Sequence, residues 1–210
     1  GDFVIGDTYS AANEGLKGRI VRDVANERGM SSFGTLLDIV IADELKTILW
    51  PTPQDDDAES WRMRAELWQD GRAMIGGSDA GAHLDRMCGA PYPTRWLADC
   101  IRGRKLVPVE FAVKMMTSQP AKLFGLVDRG ELREGAFADV VVFNPDEIGS
   151  EDAMLVTDLP GNSSRLTAGS FGVKRVLVNG VTIVENGVAN GAVPGTVLKS
   201  GKDTYTVPAR

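Results

Sequence analysis

The 210-residue chain predicts an α/β fold: a helix-rich first part containing one short buried strand, followed by a β-rich second part. Three observations carry this. Apolar residues recur at helical spacing through much of residues 16–125. The run Ala73-Met74-Ile75, closed by Gly76-Gly77 and followed by polar Ser78-Asp79, has the look of a buried parallel strand with a polar tip. Beyond Gly125 the pattern changes to short β-branched runs punctuated by Asn-Gly and Pro-Gly pairs.

Leu16, Ile20, Val21 and Val24 recur at helical spacing and lead to Gly29, which suits the left-handed position just past a helix end. A second amphipathic helix is capped by Ser31 or Ser32. It carries Phe33, Leu36, Leu37, Val40 and Ile41 on one side and ends before Pro51 and Pro53. A third, from about 58 to 70, sets Trp61, Ala65 and Trp68 on one stripe, pairs Arg62 with Glu66 and stops at Gly71. Further helices are predicted over 94–102, over 108–116, and from Pro120 after a Ser118 cap to Gly125. The strands that follow are 139–143, 174–178 and 181–184. Asn179-Gly180 between the last two is a two-residue hairpin turn with positive φ. Asn186-Gly187, Asn190-Gly191 and Pro194-Gly195 continue the punctuation, so the second part reads as an antiparallel meander, with its boundary between 125 and 138.

Twenty-three lysines and arginines against 29 aspartates and glutamates leave a formal charge of −6, without the basic footprint of a nucleic-acid binder. A hydrophobic fraction of 43% and a charged fraction of 25% are those of a globular chain with a real core. No run approaches the roughly 18 apolar residues of a membrane span, and Gly1-Asp2-Phe3-Val4-Ile5 is no basic-then-apolar leader. No membrane or nucleic-acid partner is expected. Two cysteines, Cys88 and Cys100, are too few for a disulfide framework and predict a reducing, cytoplasmic setting. The single histidine, His83, limits the chemistry most. Common zinc and oxidative iron sites use two or three imidazoles, so this chain alone builds neither.

Residues 75–85 gather glycines, two carboxylates and the only imidazole behind the expected strand, and parallel sheets meet their ligands at the carboxyl ends of strands. No Gly-Lys-Ser/Thr and no Gly-x-Gly-x-x-Gly occurs, which disfavours nucleotide binding. Asp79 has two readings: a metal ligand or general base toward a metal-bound water, or a carboxylate that caps the next helix. His83 either contacts substrate or is an ordinary hydrogen-bonded histidine, and Asp85 reads as a solvated or capping carboxylate. Cys88 and Cys100 read as small packing residues rather than nucleophiles. Asp55-Asp56-Asp57 is a solvated loop lacking the alternating ligands of a calcium site. Trp50, Trp61 and Trp68 fill a core or a contact surface. Serine-hydrolase chemistry finds no Gly-x-Ser-x-Gly.

Three segments resemble the amidohydrolase superfamily, and most closely its D-aminoacylase branch, the N-acyl-D-amino-acid deacylases. They are Gly77-Ser78-Asp79-Ala80-Gly81-Ala82-His83-Leu84, Thr117-Ser118-Gln119-Pro120-Ala121-Lys122-Leu123-Phe124-Gly125-Leu126, and residues 129–143 from Arg129-Gly130-Glu131-Leu132 to Val140-Val141-Val142-Phe143. Asp158-Leu159-Pro160, Val178-Asn179-Gly180 and Gly191-Ala192-Val193-Pro194-Gly195 extend the likeness, in order, over about residues 70 to 200.

The resemblance implies a zinc-dependent hydrolase of the amide bond of N-acyl-D-amino acids or similar small amides. Residues 1–128 would be the closing β/α units of a TIM-like barrel and residues 129–210 part of a small β-sandwich. The family aspartate after the last barrel strand, matching Asp79, is the catalytic acid/base and touches the metal. It takes a proton from the water that attacks the amide carbonyl and returns it to the leaving amine. A substrate-binding role carries over to His83, and structural roles to Gly135 and Asp139. The family's His-x-His pair and its middle-strand histidines, with a cysteine or carboxylated lysine, are absent from this sequence, and a full barrel takes roughly 250 residues. The chain is therefore expected to be the carboxyl-terminal part of a longer polypeptide, with zinc belonging to that parent and none assured on this chain alone. Its unpaired strand edges and apolar surface would be covered by the missing amino-terminal part or by self-association. Two other readings stay open: a non-catalytic scaffold or interaction fragment without metal, and an amidohydrolase acting on cyclic amides.

Overall fold

Local signals set the helix boundaries of the first unit, Gly1–Asp57, in the computed structural model, which describes residues 1–53, 55–85 and 87–208. Strand β1 (Phe3–Ile5) pairs antiparallel with β2 (Leu49–Pro51), Val4 opposite Trp50. Between them run α1 (Val21–Arg28) and α2 (Ser32–Ala42). α1 stops at Gly29, whose φ of 63° is the left-handed end expected there. The Ser31 hydroxyl caps α2 by accepting from the Gly34 amide at 3.1 Å. Ile5, Val21, Val24 and Ile39 are almost wholly buried and form the core with Leu16, each such side chain contributing about 1.5–3 kcal/mol.

The face of α2 differs from expectation. Thr35 and Ile39 are buried and Leu36 packs on the core, whereas Phe33, Leu37 and Ile41 are exposed. The segment Ser-Phe-Gly-Thr-Leu-Leu-Asp-Ile-Val-Ile-Ala is apolar nearly all round, so helical spacing alone admits either stripe.

The second unit, Ala58–Arg210, mixes helix and sheet around its own core. Its helices are α3 (Ala58–Gln69), α4 (Tyr92–Ile101), α5 (Val109–Met116) and α6 (Ser118–Leu123). On α3 the expected stripe is present: Ala65 is buried and Trp61 and Trp68 lie 6.2 Å apart between ring centroids, with Trp96 of α4 set edge-on to Trp68 at 4.6 Å. Arg62 pairs with Glu66 as predicted. The β-rich part holds β3 (Val140–Phe143), β4 (Gly149–Ser150), β5 (Met154–Leu159), β6 (Ser163–Thr167), β7 (Ser170–Phe171), β8 (Val173–Val178), β9 (Val181–Glu185) and β10 (Val188–Ala189). β3, β8, β9 and β10 form one antiparallel sheet in the order β10-β9-β8-β3, and β4–β7 and β5–β6 form two separate pairs. Asn179 and Gly180 both take positive φ, 49° and 80°, as a two-residue hairpin turn between β8 and β9 requires. Leu97, Cys100, Val107 and Ala112 from the helical stretch share their core with Ile148, Phe143 and Val173 from the β-rich stretch. Arg102 strengthens that junction by donating to the carbonyls of Pro145 at 2.8 Å and Glu147 at 3.3 Å.

The expected buried parallel strand at Ala73-Met74-Ile75 is not formed: residues 73–79 run without strand pairing, and the three side chains are half-buried. A central parallel strand needs a ladder partner beside it. Here the segment is held instead by the Gln119 amide, which donates to the Ala73 carbonyl at 2.5 Å. No helix among the described residues is long and apolar enough to cross a membrane.

Candidate active site

The turn that carries Asp79 and His83 is closed by its own backbone. Ser78 places its hydroxyl to accept from the Ala80 amide at 3.2 Å, the Ala82 amide donates to the Asp79 carbonyl at 2.9 Å, and Met87 to the His83 carbonyl at 2.9 Å. Gly81 at φ 93° and His83 at φ 46° supply the left-handed steps that reverse the chain. Two non-local contacts fix the loop from outside. Gly89 folds back against the Ser78 Cβ and the backbone nitrogens of Asp79 and Ala80, and the Leu166 amide of β6 donates to the Leu84 carbonyl at 2.7 Å. Leu166 is buried, so this bond anchors the β5–β6 hairpin against the loop.

Asp79 and His83 are both exposed. Asp79 does not cap a helix: α4 begins only at Tyr92. Neither residue lines the cavity of about 800 Å3 bounded by Trp68, Arg72, Met74, Phe111, Lys114 and Gln119, nor the smaller one of about 250 Å3 near Arg129 and Glu131. Among the described residues no three His, Cys, Asp or Glu side chains come together as an ion-binding group. The donor set therefore does not fit a zinc site by itself: an exposed carboxylate and one imidazole fall short of the three protein ligands a catalytic zinc uses. Cys100 is excluded as a ligand or nucleophile by its surroundings. Burial, with Asp99 adding to it, pushes its thiol up to about 12. Asp55, Asp56 and Asp57 are exposed and, among the described residues, join no ion-binding group.

Gly89 and Leu166 escaped the sequence reading because each acts through the backbone at a distance. The β5–β6 hairpin lies outside the predicted strands: β6, Ser-Ser-Arg-Leu-Thr, is largely polar, and the Met-Leu-Val run that opens β5 is too short to carry a strand signal.

A helical stretch feeding a closed Gly-Ser-Asp loop, followed by an antiparallel sheet, is the setting in which the comparisons with known proteins fall. The chain belongs to the amidohydrolase family, whose sequence profile matches residues 21–184. It is 31% identical to the D-aminoacylase of Alcaligenes xylosoxydans xylosoxydans over 87% of this chain and 34% of that one. It is 36% identical to the N-acyl-D-glutamate deacylase of the same organism over 52% of this chain and 22% of the relative. Among solved structures it is similar to the N-acyl-D-glutamate deacylase of Bordetella bronchiseptica complexed with zinc and a phosphonate inhibitor, a mimic of the tetrahedral intermediate. That likeness has 29% identity and a TM-score of 0.45, covering 87% of this chain and 34% of that one. The chain thus spans about a third or less of the length of these relatives.

Proposed function

We propose that the polypeptide to which this sequence belongs hydrolyses the amide bond of N-acyl-D-amino acids, small-molecule substrates, with Asp79 as the acid/base. Its carboxylate takes a proton from the water that attacks the amide carbonyl and hands it to the nitrogen as the C–N bond breaks. The observation that carries this reading is the 31% identity to a D-aminoacylase over 87% of the chain. The exposed position of Asp79 on a loop closed by its own hydrogen bonds is compatible with it.

On this reading residues 1–128 contribute closing units of a barrel and residues 129–210 a small β-sandwich. His83, four residues from Asp79 on the same turn, lies against substrate. The zinc named for the Bordetella relative would need donors from the rest of the polypeptide, and Asp79 is the residue of this chain proposed to join them. The same missing sequence, or a second copy of the chain, would cover exposed apolar side chains such as Phe33, Ile41 and Leu132. A cytoplasmic setting agrees with two free cysteines.

The test is to extend the reading frame upstream and assay carboxylate release from N-acetyl-D-glutamate and N-acetyl-D-leucine. Wild type should turn over at least one of them, and Asp79→Asn should lose about 100-fold or more in kcat. An active Asp79→Asn enzyme refutes the assignment of the base, and an inactive wild type refutes the proposed reaction.

A further inference from the structure

The geometry points to Gly89 as a positioning residue for Asp79, an inference that rests on the reading of Asp79 as acid/base. The loop from Ser78 to Gly89 returns on itself so closely that a Cβ added at Gly89 would lie 3.1 Å from the Ser78 Cβ, 3.2 Å from the Ala80 nitrogen and 3.3 Å from the Asp79 nitrogen. Each distance is tighter than ordinary van der Waals contact, so the backbone carrying Asp79 must yield by a few tenths of an ångström. Gly89 lies outside the left-handed region, so alanine there meets steric crowding and no conformational penalty.

The opposite side of the loop has little freedom to absorb that displacement. Leu84 is held by the Leu166 amide at 2.7 Å, and β6 is braced within its hairpin by Arg165, which grips Asp158 through two 2.8 Å hydrogen bonds. Beyond Gly89, the Thr94 hydroxyl at the start of α4 meets the Ser150 hydroxyl at 2.7 Å, and that hydroxyl donates to the Pro91 carbonyl at 3.1 Å. With both flanks fixed, extra volume at position 89 is delivered to residues 78–80. A proton-transferring group so displaced loses rate in the chemical step more than in substrate binding, because only the transition state senses its exact placement.

The experiment compares wild type, Gly89→Ala, Gly89→Val, Ser78→Gly, Asp79→Asn and the double variant Ser78→Gly/Gly89→Ala in the extended polypeptide, with kcat, KM and Tm measured on its best N-acetyl-D-amino acid. Graded loss is expected: about 10-fold in kcat for Gly89→Ala and more for Gly89→Val, with KM within about 3-fold and Tm little changed. Removing the Ser78 Cβ takes away the nearest obstruction but also the hydroxyl that accepts from the Ala80 amide, so Gly89→Ala should cost less kcat in the Ser78→Gly background than in wild type. A merely structural role would lower Tm in step with kcat, whereas a positioning role lowers kcat at little-changed Tm and KM. Wild-type kcat in both Gly89 variants, or an equal cost of Gly89→Ala in the two backgrounds, overturns the positioning role. Full activity in Asp79→Asn overturns the reading beneath it, and the two failures are told apart by that variant.

Discussion

Asn13 and Asp43, thirty residues apart, meet in a buried 2.7 Å hydrogen bond that ties the first turn of the chain to the end of α2. Both side chains are 2% exposed. Asn13 also donates to the Ile39 carbonyl at 2.8 Å, satisfying a group near the helix terminus. Asp43 accepts further from the amides of Tyr9 at 3.1 Å and Ser10 at 2.8 Å and from the Thr47 hydroxyl at 2.6 Å. One carboxylate thus organises three segments of the first unit.

Acid should loosen this unit. Burial by itself pushes the Asp43 carboxyl up, but the hydrogen bonds from Thr47, Ser10 and Asn13 together outweigh it and hold the group well below the usual carboxylate range. With the folded-state value lowered, the unfolded chain takes up the proton first as pH falls. The stabilisation is therefore complete above about pH 5 and is lost progressively below about pH 4. Asp43→Asn should cost about 1–3 kcal/mol at pH 7. Urea titrations of both proteins at pH 7 and pH 3 check this: the gap between their midpoints must narrow in acid, and a constant gap would show that the charge of Asp43 contributes nothing.

Thr35→Val should be neutral or stabilising by about 1 kcal/mol. Thr35 is fully buried on α2, and its hydroxyl finds no hydrogen-bond partner among the described residues. Valine keeps the shape and removes the desolvated oxygen. An unchanged or raised urea midpoint is the expected readout, and a loss of more than about 1 kcal/mol in unfolding free energy would mean that the hydroxyl is satisfied after all.

Native alkylation should label one cysteine. Cys88 is half-buried while Cys100 is 2% exposed, with its thiol raised to about 12 by burial and by Asp99. At pH 8 only about one Cys100 in ten thousand is thiolate, and that one is shielded. Mass spectrometry after iodoacetamide should find a single adduct, on Cys88, in buffer and two in urea. Modification of Cys100 in the folded chain would contradict the packing of α4.

What was legible beforehand follows from how local each signal is. The ends of α1 and α2 rest on Gly29 and Ser31, and the β8–β9 turn on Asn179-Gly180, where a single residue type decides the backbone. The buried face of α2 was misread because nearly every side of it is apolar. The strand at 73–75 was misread because a short apolar run says nothing about whether a partner strand stands beside it. Asp79 could be singled out from its Gly-Ser-Asp setting. The contacts that hold its loop, Gly89 against 78–80 and Leu166 on Leu84, join residues far apart in a way no periodicity encodes. No set of zinc donors could be read from the sequence, because the chain has a single histidine.

Arg129→Lys should destabilise the sheet by about 1–3 kcal/mol although it preserves charge. The Arg129 side chain is 11% exposed, pairs with Asp139 at the start of β3, and donates to the Asn179 side-chain oxygen at 3.0 Å. Its guanidinium also lies 4.1 Å from the centre of the Phe137 ring. Asp139 in turn accepts from the Asn179 amide at 2.9 Å, and the Asn179 side chain donates to the Pro194 carbonyl at 2.8 Å. A planar fork can reach carboxylate and amide at once while stacking on an aromatic face, whereas an ammonium acts as a single point. Lysine should therefore keep one of the two polar partners and leave the other unsatisfied. Thermal unfolding of the two proteins at equal salt checks the claim, with the deficit persisting in 1 M salt because the lost contacts are geometric as well as electrostatic. A lysine variant with unchanged Tm would show that charge alone holds the turn to β3.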